Sequence, residues 1–350
     1  MKPEDLVRPE ILALSAYAVA PAAGMVKLDA MENPYRLPPP LRQELAARLA
    51  EVELNRYPEP NPAALRELIV RKMRVPPGMD VLLGNGSDDL IQIITLALAR
   101  PGAAMMYPSP TFLMYTMNAT FCAMRAVPVP LRDDFSFDAD AFIARLRAER
   151  PALVFLAYPN NPTGVLYPRA DVRRVIEAAP GLVVLDEAYH VFAGETFMDE
   201  LPRFDNLVVL RTVSKLGLAG IRLGYLAGRP QWLAQLNKVR QVYNVNVLTE
   251  AVARLVLERL DVLEAQAAEI RDERERLGTA LRAIDGVTVF PSRANFFLVR
   301  VHDAERTDQR LRRQGVLVRN LHPALANCLR ITVGTPDENR ILLNALKEAI

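Results

Sequence analysis

The chain has 350 residues, with 43 basic and 41 acidic side chains, and so a formal net charge of +2. Its 51% apolar and 24% charged residues are those of a globular chain, which excludes a disordered polymer or a collagen-like repeat. The charge balance offers no basic footprint for nucleic acid or an anionic membrane, and the length predicts about two domains.

Two cysteines, Cys122 and Cys328, lie far apart and form no CxxC, which points to a reducing compartment. Three histidines, none at zincin spacing, leave no ligand set for a metal. The hydrolase elbow GxSxG is absent. No apolar run reaches the roughly 18 residues of a membrane span. The stretch ILALSAYAVAPAA (11–23) imitates a secretory leader, but Glu4, Asp5 and Glu10 precede it. A leader begins net positive, so a cytoplasmic protein is expected.

The first forty residues read as an arm with little periodicity, ending in LPPPL (37–41). Helices are predicted over 42–54 and 63–73, the second after a loop that begins YPEPNP. From residue 81 short apolar runs alternate with amphipathic stretches. VLLG (81–84), AAMMY (103–107), MRAVPV (124–129), ALVFLAY (152–158), LVVLDEAY (182–189), LVVLRTV (207–213) and LGYLAG (223–228) are the strands. Between them, 89–99, 141–149 and 172–179 are helical. Continuous apolar strands separated by helices predict a mostly parallel sheet covered on both faces. Residues 232–281 carry long helical periodicity. Strands at 286–292, 295–301, 316–320 and 329–334, with helices at 303–314 and 337–350, then predict a smaller α/β lobe. The expected division is an arm at 1–45 that joins the small domain, a large domain at 46–250 and a small C-terminal domain at 251–350.

Five segments carry chemistry. In RTVSKLGLAGIRLGY (211–225) a lysine, Lys215, follows a strand, and Arg222 stands seven residues on. A lysine amine near other cations has a lowered pKa and can condense with an aldehyde. Ser214 and Arg222 suit a phosphate, the arginine in bidentate fashion. In LVVLDEAYHVF (182–192) Asp186 ends a buried strand, where ligands of open α/β sheets bind. Its carboxylate could keep a pyridine nitrogen protonated, with Tyr189 donating to a ring oxygen; a helix cap is the other reading. In YPNNPTG (158–164) Asn161 offers an amide to the same oxygen, or the segment is an ordinary turn. In VLLGNGSDDLI (81–91) a strand runs into Gly86 and Ser87, and free N–H groups at a helix start favour a phosphate. Asp88 and Asp89 complement the helix dipole there, and neither a Walker A loop nor GxGxxG is present. In SPTFLMY (109–115) Phe112 could stack on a planar ring or fill a core.

In this order the segments resemble the fold-type-I pyridoxal-phosphate enzymes, and among them the class-II aminotransferases, over nearly the whole chain. NPTG, LDEAY and SKLGLAGIRLGY carry the resemblance. It implies an α/β fold with a large cofactor-binding domain and a smaller α/β domain. It also implies that Lys215 holds the cofactor and shuttles the proton, while Asp186 meets the ring nitrogen. Tyr189 and Asn161 would bond the ring oxygen. Gly86, Ser87, Asp88, Ser214 and Arg222 would surround the phosphate, and Phe112 would stack where the family often has tyrosine. The segments KLDAMENPY (27–35), NRYPEPNP (55–62) and CLRITVGTPDEN (328–339) are similar to those of the subfamily that acts on histidinol phosphate. By that resemblance Tyr57 reaches the phosphate of a neighbouring subunit, making a homodimer with shared sites. Tyr17, Asn33, Arg319 and Arg330 would contact substrate. The activity so implied is exchange of histidinol phosphate and 2-oxoglutarate with imidazole-acetol phosphate and glutamate. An aromatic amino-acid aminotransferase, or a decarboxylase of a threonine phosphate, would share every cofactor residue. A non-catalytic regulator is disfavoured by the presence of Lys215.

Overall fold

A computed structural model of the chain describes residues 1–16 and 20–350, so Tyr17 lies outside the described residues. Among the described residues the strands are β1 (Val26–Leu28), β2 (Asp80–Gly84), β3 (Ala104–Ser109), β4 (Arg125–Pro130), β5 (Leu153–Ala157), β6 (Leu182–Asp186), β7 (Leu207–Thr212), β8 (Gly224–Gly228), β9 (Thr288–Val289), β10 (Phe296–Arg300), β11 (Val316–Asn320) and β12 (Cys328–Thr332).

The larger sheet has the order β2-β8-β7-β6-β5-β3-β4. Neighbours from β7 through β4 pair in parallel, and β8 runs antiparallel to both β7 and β2. Every residue of β5, β6 and β7 is buried. Covered on both faces, such strands bury alternate side chains in opposite cores, and a continuous apolar run results. One core joins Val154, Leu156, Val183 and Leu185 to the helices Arg169–Ala178 and Val247–Glu258. The other joins Phe155, Val184 and Leu210 to the helices Ser87–Leu98 and Leu113–Phe121.

The smaller sheet has the order β1-β11-β12-β10-β9. It is antiparallel except at β1, which pairs in parallel with β11. The N-terminal arm thus contributes a strand to the C-terminal lobe, although nothing local in three residues announces it. The predicted helical stretch 232–281 is three helices, Pro230–Leu236, Val247–Glu258 and Leu260–Arg282. Tyr243, at φ 63°, interrupts the first gap, and the Asn246 side chain accepts from Thr249 N–H to start the next helix. The helix Leu113–Phe121 is absent from the sequence reading, because its apolar residues nearly encircle it.

The two lobes meet at the short helix His190–Ala193. Three arginines of the C-terminal part donate to its last carbonyls: Arg271 to Val191 (2.7 Å), Arg274 to Phe192 (3.0 Å) and Arg293 to Ala193 (2.7 Å). Cations suit the carbonyl end of a helix, whose C=O groups lack helical partners. This joint anchors the segment that carries Asp186 and Tyr189.

Candidate active site

The carboxyl ends of β5, β6 and β7 open into one cavity lined by Ser87, Asp88, Phe112, Asn161, Asp186, Tyr189, Ser214, Lys215 and Arg222, with Met31 from the arm. Parallel strands deliver their following loops to the same edge, which is why motifs from Ser87 to Arg222 converge.

Lys215 lies in a π-helical turn, Ser214–Leu218. Gly217 within it has φ 138°, and a Cβ there would stand 3.0 Å from Asn33 Nδ2. Lys215 Nζ donates to Ala30 C=O at 2.9 Å. Burial, then the neighbouring Arg330 guanidinium, lowers its pKa from the ordinary 10.5 to about 8. Asp186 is 4% exposed. Its Oδ2 accepts from the Tyr115 phenol at 2.7 Å and its Oδ1 from Ala188 N–H at 3.1 Å. Burial raises this carboxyl to about 6, against the lowering effect of the Tyr115 hydrogen bond.

Asn161 Nδ2 donates to the Tyr189 hydroxyl at 3.2 Å, and Tyr189 in turn donates to Met31 Sδ at 3.1 Å. Arg330, 8% exposed, reaches Asn161 Oδ1 at 2.6 Å and Asp29 C=O at 2.9 Å. Arg319 pairs with Arg330 across β11 and β12, so the two side chains share one face of the sheet.

The phosphate-type cradle is built from two loops. Gly86, at φ 87°, precedes the helix Ser87–Leu98, and a Cβ on it would come 2.6 Å from Arg222 Nη2. Arg222 itself sits in the left-handed region, φ 52° and ψ 51°. Its guanidinium contacts Ser214 Oγ and Asp88 Oδ2, both at 3.4 Å. Asp88 therefore enters the site as a partner of Arg222.

Asn33 and Tyr57 are among the expected residues that do not line the cavity in a single chain, as are Arg319 and Arg330. Asn33 donates to Leu216 C=O at 3.1 Å and to Gln266 Oε1 at 3.0 Å, bracing the turn after Lys215. Tyr57 is 81% exposed, its ring stacked on Tyr243 at 4.6 Å. Sequence reasoning missed Tyr115, although it lies one helical turn after Phe112 on an inward face. It also missed the buried Glu187–Arg211 pair beneath Asp186, joined at 2.7 Å.

The residues fit pyridoxal phosphate on this geometry. A glycine-walled anion cradle, a buried carboxylate, an amide–phenol pair and a lysine with a lowered pKa face one cavity. The fold and the site define a class I and II aminotransferase, and the chain belongs to that family, whose model matches residues 23–346. Within it, the chain is similar to histidinol-phosphate aminotransferase 2 of Burkholderia pseudomallei, 56% identical over 352 residues and 99% of each chain. It is 54% identical to the histidinol-phosphate aminotransferase of Chromobacterium violaceum, over 98% of each. The crystal structure of histidinol-phosphate aminotransferase from Sinorhizobium meliloti in complex with pyridoxal-5'-phosphate superposes with a TM-score of 0.87 at 26% identity, covering 98% of this chain and 97% of that one.

Proposed function

We propose that the chain is a pyridoxal-phosphate-dependent transaminase of histidine biosynthesis. It exchanges the amino group of L-histidinol phosphate with 2-oxoglutarate, giving imidazole-acetol phosphate and glutamate. The observation that carries the reading is the convergence of Lys215, Asp186, the Asn161–Tyr189 pair and Arg222 on one cavity. The relatives of the same activity, at 54–56% identity over the whole chain, support the substrate.

Bound pyridoxal phosphate supplies an aldehyde that captures amines and a ring that stores an electron pair. Asp186 would meet the ring nitrogen and hold its proton. Tyr189 and Asn161 would bond the ring oxygen. Arg222, Ser214 and the N–H groups at the start of the helix Ser87–Leu98 would hold the phosphate, with Asp88 fixing the arginine. Lys215 Nζ, its proton affinity lowered by burial, would take the proton from the amine-bearing carbon of the substrate and give it back on the other side of the amine nitrogen. Phe112 would stack on the ring.

Histidinol phosphate has no α-carboxylate, so its phosphate must take the anion contacts. Arg319 and Arg330, opposed on one sheet face, place two guanidiniums where one anion could bond both. The same pair serves the dicarboxylates glutamate and 2-oxoglutarate. Tyr17 is assigned to the substrate phosphate by family resemblance. Asn33 shapes the substrate side by holding the Lys215 turn. The exposed Tyr57–Tyr243 surface, with Val242 and Leu54 nearby in sequence and also exposed, fits an interface with a second copy. There Tyr57 reaches the partner's cofactor phosphate, giving a homodimer with shared sites. No described helix is long and apolar enough to cross a membrane. We place the enzyme in the cytoplasm, with residues 1–45 joining the small domain; the expected boundary at 250/251 would cut the helix Val247–Glu258, which packs in the large-sheet core, so the small domain begins beyond that helix.

The test is a half-reaction. Loaded enzyme is mixed separately with histidinol phosphate, histidine, phenylalanine and glutamate, and the cofactor absorption band is followed. Histidinol phosphate and glutamate should convert it. Faster conversion by phenylalanine than by histidinol phosphate overturns the assignment in favour of an aromatic aminotransferase.

A further inference from the structure

Asp186 is a buried carboxylate that must stay ionised on the cofactor reading, and the fold surrounds it with groups that work against that. Burial weighs most against a charge on it, and Asp88, on the helix Ser87–Leu98, and Glu187, its chain neighbour, repel that charge as well. Against these stand one side-chain donor, the Tyr115 phenol, and one backbone donor, Ala188 N–H.

Tyr115 is itself fully buried, on the helix Leu113–Phe121. Its ring is stacked on Phe155 of β5, with centroids 4.5 Å apart and planes at 12°. The edge-on ring of Phe112 lies 5.7 Å away at 90°. A tilted contact with Tyr107 at 6.1 Å completes three aromatic contacts that fix the phenol's direction before it meets the carboxylate. Each carboxylate oxygen has one protein donor, so the plane of the group is set and it cannot rotate away from the cavity.

We propose that Tyr115 is a positioning residue for the reaction. Its hydroxyl donates to Asp186 Oδ2, keeps that carboxylate ionised and holds its plane toward the ring nitrogen, while its ring carries Phe112, which covers the ring face. This rests on the cofactor reading given above. The hydrogen bond favours the charged form, and losing such a bond shifts proton affinity by roughly ten- to a hundredfold.

The variant Tyr115→Phe removes only the oxygen and keeps the stack on Phe155. The Asp186 carboxyl is titrated in the full-length cofactor-free chain by carbon NMR with labelled aspartate, and Asp186→Asn assigns the signal. Proton affinity should rise at least about tenfold in Tyr115→Phe. In the loaded enzyme kcat should fall by about tenfold with KM unchanged, since ring-nitrogen charge matters only in the transition state. If Tyr115→Phe does not fold, the unmutated chain grown with 3-fluorotyrosine replaces it. The more acidic phenol is a stronger donor, so the Asp186 proton affinity should then fall. A titration within about twofold of the unmodified chain in the experiment performed overturns the proposal. Borohydride reduction and peptide mapping, run in parallel, tests the cofactor reading separately. A label absent from Lys215 sinks that reading and leaves the titration result standing.

Discussion

Lys215 carries a proton-affinity penalty that the folded chain must bear, and Lys215→Met exposes it. The amine is lowered from 10.5 to about 8 on folding, through burial and through Arg330. At about 1.4 kcal/mol for each tenfold change, that difference has a ceiling of about 3 kcal/mol. Lys215 is only part-buried beside an open cavity, and solvent screening leaves roughly half of it. Between pH 8 and 10.5 the unfolded chain binds more protons than the folded one, so this group makes stability rise with pH across that window. Below pH 8 both states are protonated and the folded chain bears the whole cost of a desolvated ammonium. Methionine has a similar length and no charge, so the variant lacks this dependence. Urea unfolding of the cofactor-free chain, at fixed concentration and at pH 7, 8, 9 and 10, measures the difference between the two proteins. The unmutated chain should gain about 1–3 kcal/mol relative to Lys215→Met across the series. Packing changes and other titrating groups cancel in the slope of that difference. A difference that stays flat to within about 0.5 kcal/mol would refute the lowered lysine.

Asp186→Asn should still take up the cofactor but lose turnover by several orders of magnitude, at about 1.4 kcal/mol per tenfold, because an amide cannot hold the ring proton; near-normal single-turnover rates would contradict the role given to it. For the anion contacts, kcat/KM for histidinol phosphate should exceed that for histidinol by at least about a hundredfold, since a substrate without the phosphate forgoes its charge-assisted bonds to the guanidiniums. Arg330→Ala should weaken histidinol phosphate and glutamate alike, and selective loss of one would show that they use separate sites. Mixing Tyr57→Phe with Arg222→Ala subunits should restore activity above the sum of the parents through heterodimers with one intact site; purely additive activity, with exchange of subunits demonstrated, would count against a shared site. Glu187→Gln should destabilise the fold by about 3–5 kcal/mol in chemical denaturation, because it leaves Arg211 as a buried, uncompensated cation. A loss under about 1 kcal/mol would show that the pair is dispensable.

Much of the site is legible in the chain because local pattern and function coincide at strand ends. The runs at β5, β6 and β7 are apolar throughout, which marks strands buried on two faces, and parallel strands in such a sheet open at their carboxyl ends. Asn161 and Lys215 follow, and Asp186 ends, one of these runs, so their meeting follows from the rhythm alone. Gly86 and Ser87 are readable for the same reason, since a glycine turn before a helix exposes free N–H groups. What remained hidden depends on which distant pieces dock. Tyr115 reaches Asp186 across 71 positions, Lys215 reaches Ala30 across 185 and Arg330 reaches Asn161 across 169. Periodicity tells which face of an element is buried, but it does not name the partner on the other side. Val26–Leu28 becomes a strand only because β11 offers it an edge, and Asn33 becomes a brace because the Lys215 turn arrives beside it. The sequence by itself determined the alternation of strands and helices and the chemistry at each strand end. The tertiary structure decided the hydrogen-bond partners, the shared sheet face of Arg319 and Arg330, and the arginine joint between the lobes, because these arise from docking surfaces that no local window contains.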